Sequence, residues 1–192
     1  MIPGVTVVIP TIPPRQDLLR RAVNSVLAQT RPATALAISV DNDHLGAPAN
    51  RTRALMMART EWVCFLDDDD ELKPEYIEHL QDFAEREQAD LVYGWFDVIG
   101  GSDPFPSHFG LPWNPDNPLC VSICVMVKTE LAQRVGGFDG MDTHPHGAYG
   151  GEDYWFICKV NNTGAKIAHL PERLFNYHHH GGNTSGNPTR WS

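Results

Sequence analysis

Four consecutive aspartates, Asp67 to Asp70, end an apolar run in EWVCFLDDDDELKPEYIEHL, and Glu71 adds a fifth acid. Two unit charges ~4 Å apart repel by about 1 kcal/mol in water and roughly 4 kcal/mol at a partly shielded surface. On an extended chain Asp67 and Asp69 face one way, and Asp68 and Asp70 the other. A pair of carboxylates facing a crevice can share a divalent cation. Magnesium takes one or two protein carboxylates and fills its shell with water and phosphate oxygens; manganese accepts similar hard ligands. Such an ion removes the repulsion and adds affinity for a diphosphate. The plain alternative is a solvated acidic turn before a helix, helped slightly by the helix dipole. His178, His179 and His180 form a second group. A strand puts His178 and His180 on one face, and imidazole can ligate manganese; surface or packing histidines are the competing account. His144 and His146 alternate in THPHGAYGG, a segment that reads as a loop.

The elements that must position these groups follow from periodicity. Val5 to Ile9 is a β-branched run ended by Pro10, hence a buried strand. Leu18, Ala22 and Val26 recur at helical spacing and predict a helix over 16–29. Ala35 to Val40 is a second strand, ending at Asp41-Asn42-Asp43. Asn50 to Ala58 predicts a helix carrying Arg51 and Arg53, and Trp62 to Leu66 a third strand. Pro74 suits a helix's first turn, after which Tyr76, Ile77, Leu80, Phe83 and Ala84 form one apolar stripe. Leu91 to Val98 and Val121 to Val127 read as strands, with a proline-rich loop over 100–118 between them. Thr129 is the expected cap of a short helix closed by Gly136-Gly137. Glu152 to Asn161 reads as helical, and Ile167–Leu170 and Leu174–Tyr177 as two short strands. The alternation predicts an α/β fold with a mainly parallel sheet. Ligands of such sheets bind beyond the carboxyl ends of the strands, where Pro10-Thr11, Asp41-Asn42-Asp43 and Asp67 to Asp70 all fall. That position favours the cation account of the aspartates over the solvated turn.

Composition narrows the classes. The 192 residues suit one domain, and 42% hydrophobic with 20% charged residues reads as globular. A net charge of −9 disfavours a broad nucleic-acid-binding face. No apolar run reaches the ~18 residues that a membrane span needs, and MIPGVTVVIPTIPPR lacks the basic start of a signal peptide. Cys64, Cys120, Cys124 and Cys158 form no CxxC pair. On a strand, Cys120 and Cys124 stand roughly 13 Å apart, too far for a disulfide. Buried thiols in a reducing, cytoplasmic setting are expected.

Five blocks together resemble the family 2 glycosyltransferases, whose fold is the nucleotide-diphospho-sugar transferase fold, GT-A. They are VTVVIPTIPPRQDLLRRAVNSVLAQT with GAPANRTRAL, then FLDDDD, VGGFDG, GGEDYWF and YHHHGGNTS. Arg51 falls on the family arginine, with Thr52 where asparagine is usual; His180 falls on the family histidine, with His178 where arginine is usual. The resemblance implies a single GT-A domain with a nucleotide-binding half (1–98), an acceptor and catalytic half (99–180) and a tail (181–192). It implies transfer of a sugar from a nucleotide-diphospho-sugar, UDP by default, to an acceptor hydroxyl, with inversion and a Mn2+ or Mg2+ cofactor.

The roles it implies are specific. Asp69 holds the cation, with Asp67 assisting or contacting the ribose and His180 completing the site. Pro10, Thr11, Asp41, Arg51, Asp67, Asp68 and Gly137 bind the donor, and Asp153 is the general base. Glu152 positions it or meets the acceptor, for which Trp113 is the aromatic candidate; Trp95 is assigned to the core. Competing accounts are first-turn acids for Glu152-Asp153, an Asx-turn for Asp41 and a helix stop for Gly136-Gly137. The rival functions are a metal-dependent nucleotidyltransferase or phosphohydrolase, and a non-catalytic sugar-nucleotide-binding module.

Overall fold

The β-branched run at the N-terminus folds as β1 (Ile2–Thr11), buried from Val5 onward. In the computed structural model residues 1–103, 106–118, 123–139 and 151–180 are described. α1 (Gln16–Leu27), β2 (Ala35–Val40), α2 (Ala47–Leu55) and β3 (Thr60–Phe65) follow. β1 pairs in parallel with β2 and β3. Its pairing with β3 stops at Val8, opposite Phe65, whereas its pairing with β2 continues to Thr11, opposite Val40. Pro10 is therefore carried inside the strand, beyond the last β3 pairing, where a missing N–H costs little.

After β3 the chain turns back, with the Asp70 N–H donating to the Asp67 carbonyl at 3.2 Å. It then makes a two-residue strand, β4 (Glu71–Leu72), before α3 (Tyr76–Glu87) and β5 (Leu91–Ile99). The expected apolar stripe of α3 is the buried one: Tyr76, Ile77, Leu80, Phe83 and Ala84. β6 (Val125–Lys128), α4 (Thr129–Arg134), α5 (Glu152–Asn161) and β7 (Ile167–His178) complete the described elements. The seven strands form one sheet in the order β2-β1-β3-β6-β5-β7-β4. β5 and β7 are parallel, but β6 runs antiparallel to both of its neighbours and β4 antiparallel to β7. The sheet is thus mixed, and its parallel part is the first three strands plus the β5–β7 pair.

Several local expectations change. α2 begins three residues early because Pro48 is accepted in its first turn. Thr129 is the first residue of α4 and makes no cap bond. The two short strands expected after residue 167 are one: β7 runs through Pro171 at a register shift opposite Gly94, a bulge that spares the ladder bond proline cannot make. Gly94 eases the close approach there, since a Cβ would crowd the Glu172 carbonyl oxygen at 3.1 Å and Leu174 Cδ1 at 3.0 Å. Cys64 and Cys124 are buried thiols and Cys158 is half-buried; Cys120, His144 and His146 lie outside the described residues. Among the described residues no helix is long and apolar enough to cross a membrane.

Candidate active site

The aspartate turn lies at the carboxyl end of β3, beside the ends of β1 and β2. Its side chains do not alternate as an extended chain would have them. Asp67, Asp69 and Asp70 each place a carboxylate oxygen within 4.8 Å of the others. Asp68 instead turns back under β1, accepting from Thr11 Oγ1 at 2.6 Å and Arg15 Nη1 at 2.8 Å. The reason is the turn itself, which rotates Asp70 onto the side of Asp67 and Asp69. Of the expected donor-binding residues, Thr11 and Asp68 are brought together and bonded to each other.

Arg51 joins this turn to the head of α5. Its Nη2 donates to Asp67 Oδ1 and its Nη1 to Glu152 Oε1, both at 2.6 Å, and Nη1 stands 3.8 Å from Asp153 Oδ1. The guanidinium is nearly sealed from solvent and lies 5.7 Å from the centre of the Phe138 ring. Burial alone would lower its pKa, but Asp67, Asp153 and Glu152 outweigh it and the net direction is up. A buried arginine is retained here because it has carboxylates on two sides.

His180 Nε2 lies 3.1 Å from Asp69 Oδ2, so the two expected cation-site residues are neighbours. His178 differs: its N–H donates to Asp70 Oδ1 at 2.9 Å and its Nε2 lies 2.6 Å from Glu71 Oε2. β4 makes this possible by pairing Glu71 with Asn176 of β7.

The repulsion among the four aspartates is offset only in part. Arg15, Arg21 and Arg51 supply counter-charge, Arg21 by donating to the Asp69 carbonyl and standing 3.7 Å from Glu71. Yet seven acids (Asp67 to Asp70, Glu71, Glu152 and Asp153) meet three arginines, so negative charge remains in excess. The carboxyl groups register it. Asp70 is pushed well above the usual carboxylate range by burial first, then by Asp67 and Asp69. Asp68 is raised by burial despite Thr11 and Arg15. Asp153 is pushed up to about 8, chiefly by burial and then by Glu152 and Asp67, with Arg51 opposing. Its Oδ1 is sealed from solvent and accepts no hydrogen bond. Three converging carboxylates in a site with excess negative charge offer hard oxygen donors of which a magnesium or manganese ion could take one or two, with water and phosphate oxygens filling its shell.

Asp41 is buried and accepts the N–H groups of Leu45 at 2.9 Å and Gly46 at 2.8 Å. The Leu45 bond is the main reason that its pKa falls. It organises the turn into α2, in line with the competing account. Asn50 was not anticipated: its side chain donates to the carbonyls of Thr11 and Ser39 and locks the ends of β1 and β2 together. Gly136 and Gly137 take φ of 77° and 56° and stop α4. A Cβ on Gly137 would come within 2.9 Å of Thr52 Oγ1, and Thr52 accepts the Phe138 N–H at 3.0 Å. The close approach at Gly137 is thus to Thr52, the residue standing where the family has asparagine. Trp95 is a core side chain, and Trp113 is half-buried with its ring edge-on to Tyr93 at 6.3 Å.

Arg15 and Arg21 were also missed. The available signal was their place: PPR directly follows the polar end of β1, and Arg21 lies on α1, which packs against β4.

A mixed sheet flanked by helices, with acids, an arginine and the half-buried Asp153 gathered at the carboxyl ends of its first strands, is the arrangement of the GT-A fold. Comparison with known proteins agrees. Crystal structures of Staphylococcus aureus TarS superpose with TM-scores of 0.72, in complex with UDP-GlcNAc, and 0.70, in complex with UDP. Both are 18% identical, covering 94% and 92% of this chain and 60% of that one. The poly(ribitol-phosphate) beta-N-acetylglucosaminyltransferase TarP of S. aureus strain N315 is 26% identical over 129 residues, covering 53% of this chain and 39% of that protein. The chain thus spans less than two thirds of either relative. The sequence model of glycosyl transferase family 2 matches residues 38–148, more than half of the chain, and the chain belongs to that family.

Proposed function

We propose that the chain transfers a sugar from a UDP-sugar to an acceptor hydroxyl, with inversion at the anomeric carbon and a divalent cation at Asp67, Asp69 and Asp70. The observation that carries this reading is the convergence of those three carboxylates beside Asp153, with Arg51 bridging the two sets. TarS crystallised with UDP and UDP-GlcNAc supports UDP as the nucleotide. Residues 1–98 supply the nucleotide half and 99–180 the catalytic and acceptor half.

The acceptor oxygen attacks the anomeric carbon, the bond from that carbon to the diphosphate oxygen breaks, and the hydroxyl proton passes to Asp153. A carboxylate that titrates near 8 has the proton affinity such a base needs close to neutral pH. Arg51 holds Glu152 and Asp67 on either side of it, so that the base and the aspartate turn keep one geometry. Asp41 and Asn50 fix the ends of β1 and β2 along which the nucleotide lies, and Thr11 and Asp68 hold the first strand to the turn. When bound, the cation acts as a Lewis acid that takes up the charge of the departing diphosphate. His180 steadies Asp69, and Glu152 and Trp113 border the acceptor.

A thermal-shift screen of UDP, GDP, dTDP and CDP, each with and without Mn2+, tests this directly. A ligand at 100 times its Kd adds about 2.7 kcal/mol, and each kcal/mol moves Tm by roughly 2–4 °C in a chain of this size. UDP with Mn2+ should therefore raise Tm by about 5–10 °C. Absence of any shift from all four diphosphates, with and without metal, would overturn the reading.

A further inference from the structure

Arg15 takes no part in the chemistry just described, yet it holds two of the aspartates. It ends the single turn of 3-10 helix Pro13–Arg15, directly after β1. Its Nη1 donates to Asp68 Oδ1 at 2.8 Å and to Asp69 Oδ2 at 3.2 Å. The Asp69 oxygen is the one that His180 Nε2 also approaches, and Asp69 is one of the three converging carboxylates. Arg15 and Arg51 differ in freedom. The side chain of Arg51 is 6% exposed and bonded to carboxylates on two sides, whereas that of Arg15 is 31% exposed. Asp68 does not depend on Arg15, because Thr11 Oγ1 bonds its other oxygen at 2.6 Å. The bridge can open on the Arg15 side and leave the aspartates in place.

We propose that Arg15 is the built-in counter-ion of Asp69, which it yields to a divalent cation as its guanidinium turns to the phosphate oxygens of the nucleoside diphosphate. This rests on the cation site proposed above. A guanidinium and a doubly charged ion on one carboxylate repel, so Arg15 weakens cation binding by the protein alone. A diphosphate offers the planar fork paired anionic oxygens, which match it better than one shared carboxylate. Cation and diphosphate then bind with positive coupling, and each raises affinity for the other by the same factor.

The test measures Mn2+ affinity by electron paramagnetic resonance, with and without UDP, for the parent protein, Arg15→Gln and Arg15→Lys. In the parent, UDP should tighten Mn2+ binding by a factor within the usual coupling range of about 5- to 150-fold. Arg15→Gln should bind Mn2+ alone several-fold more tightly, and most of the UDP-induced gain should vanish; Arg15→Lys should keep part of it. Arg15→Gln binding Mn2+ no more tightly than the parent, or keeping the full coupling, overturns the proposal. Equal weakening of Mn2+ and UDP in that variant reduces Arg15 to a scaffold and overturns it too. A parent that binds no Mn2+ sinks the cation reading itself, which is a different result.

Discussion

The two rims of the sheet carry similar residues and behave in opposite ways. At the carboxyl ends of β1 and β3, Asp68, Asp70 and Asp153 are all raised above the usual carboxylate range. At the other rim, an open groove is lined by Glu61, Asp90, Lys128, Glu130 and Arg134. There, burial works to raise Asp90, but hydrogen bonds from Lys128 at 2.8 Å and the Lys166 N–H at 2.9 Å outweigh it, and its carboxyl is held low. On the second rim Asp90 has its own cation, Lys128 at 2.8 Å. On the first, carboxylates are massed with a deficit of positive charge. A groove alone therefore does not mark the chemistry here; the unbalanced carboxylates do.

The contrast can be broken most forcefully at Asp153. Asp153→Asn should lower transfer by about 10²- to 10⁴-fold, the usual contribution of a positioned base, while UDP still raises Tm. Single-turnover rates and thermal shifts check both halves; a variant that transfers at the parent rate would remove Asp153 from the role. Next in size, Asp69→Ala should abolish most of the Mn2+-dependent part of the UDP shift and leave the metal-independent part.

The pH dependence of stability follows, with the sign set by the raised group. Between its unfolded value of about 4 and its folded value of about 8, Asp153 is protonated when folded and ionised when unfolded. The folded state binds the extra proton, so its stability falls as pH rises through that window, by at most about 1.4 kcal/mol per pH unit. Tm of the protein alone should thus drop between pH 5 and pH 8, and Asp153→Asn should flatten the slope. The smallest effect belongs to the opposite rim. Asp90→Asn should leave transfer and UDP binding unchanged and cost about 1 kcal/mol or less, since Lys128 is partly solvated. Loss of nucleotide binding in that variant would erase the distinction between the rims.

The elements that build the site were legible because their patterning is local. Ala35–Val40 and Glu152–Asn161 appear with the bounds that periodicity gives them, and three polar strand ends do gather at one rim. What was not legible depends on distant partners. Arg15 and Asp68 are 53 residues apart and Arg51 and Glu152 are 101 apart; no periodicity links them. β4 has two residues and is a strand only because β7 lies beside it. Asp68 does face away from Asp67 and Asp69, but Asp70 joins them instead, because alternation is a rule for extended chain and the chain has already turned. Asp41 shows the converse: its loop bonds to Leu45 and Gly46 were readable from residue type alone, as an aspartate at a strand end.

β1 outruns β3, whose last pairing is with Val8, while Thr11 still pairs with β2. Ile9 to Thr11 are nonetheless buried, because loop and side chain close over the overhang: the Asp41 N–H and the Asn50 amide donate to the Thr11 carbonyl, and the Thr11 hydroxyl donates to Asp68. The last residue of one strand is thus a joint for three separate segments. Shortening β1 by that single residue would unfasten all three together, whereas an equal cut at the far end of the strand would touch none of them.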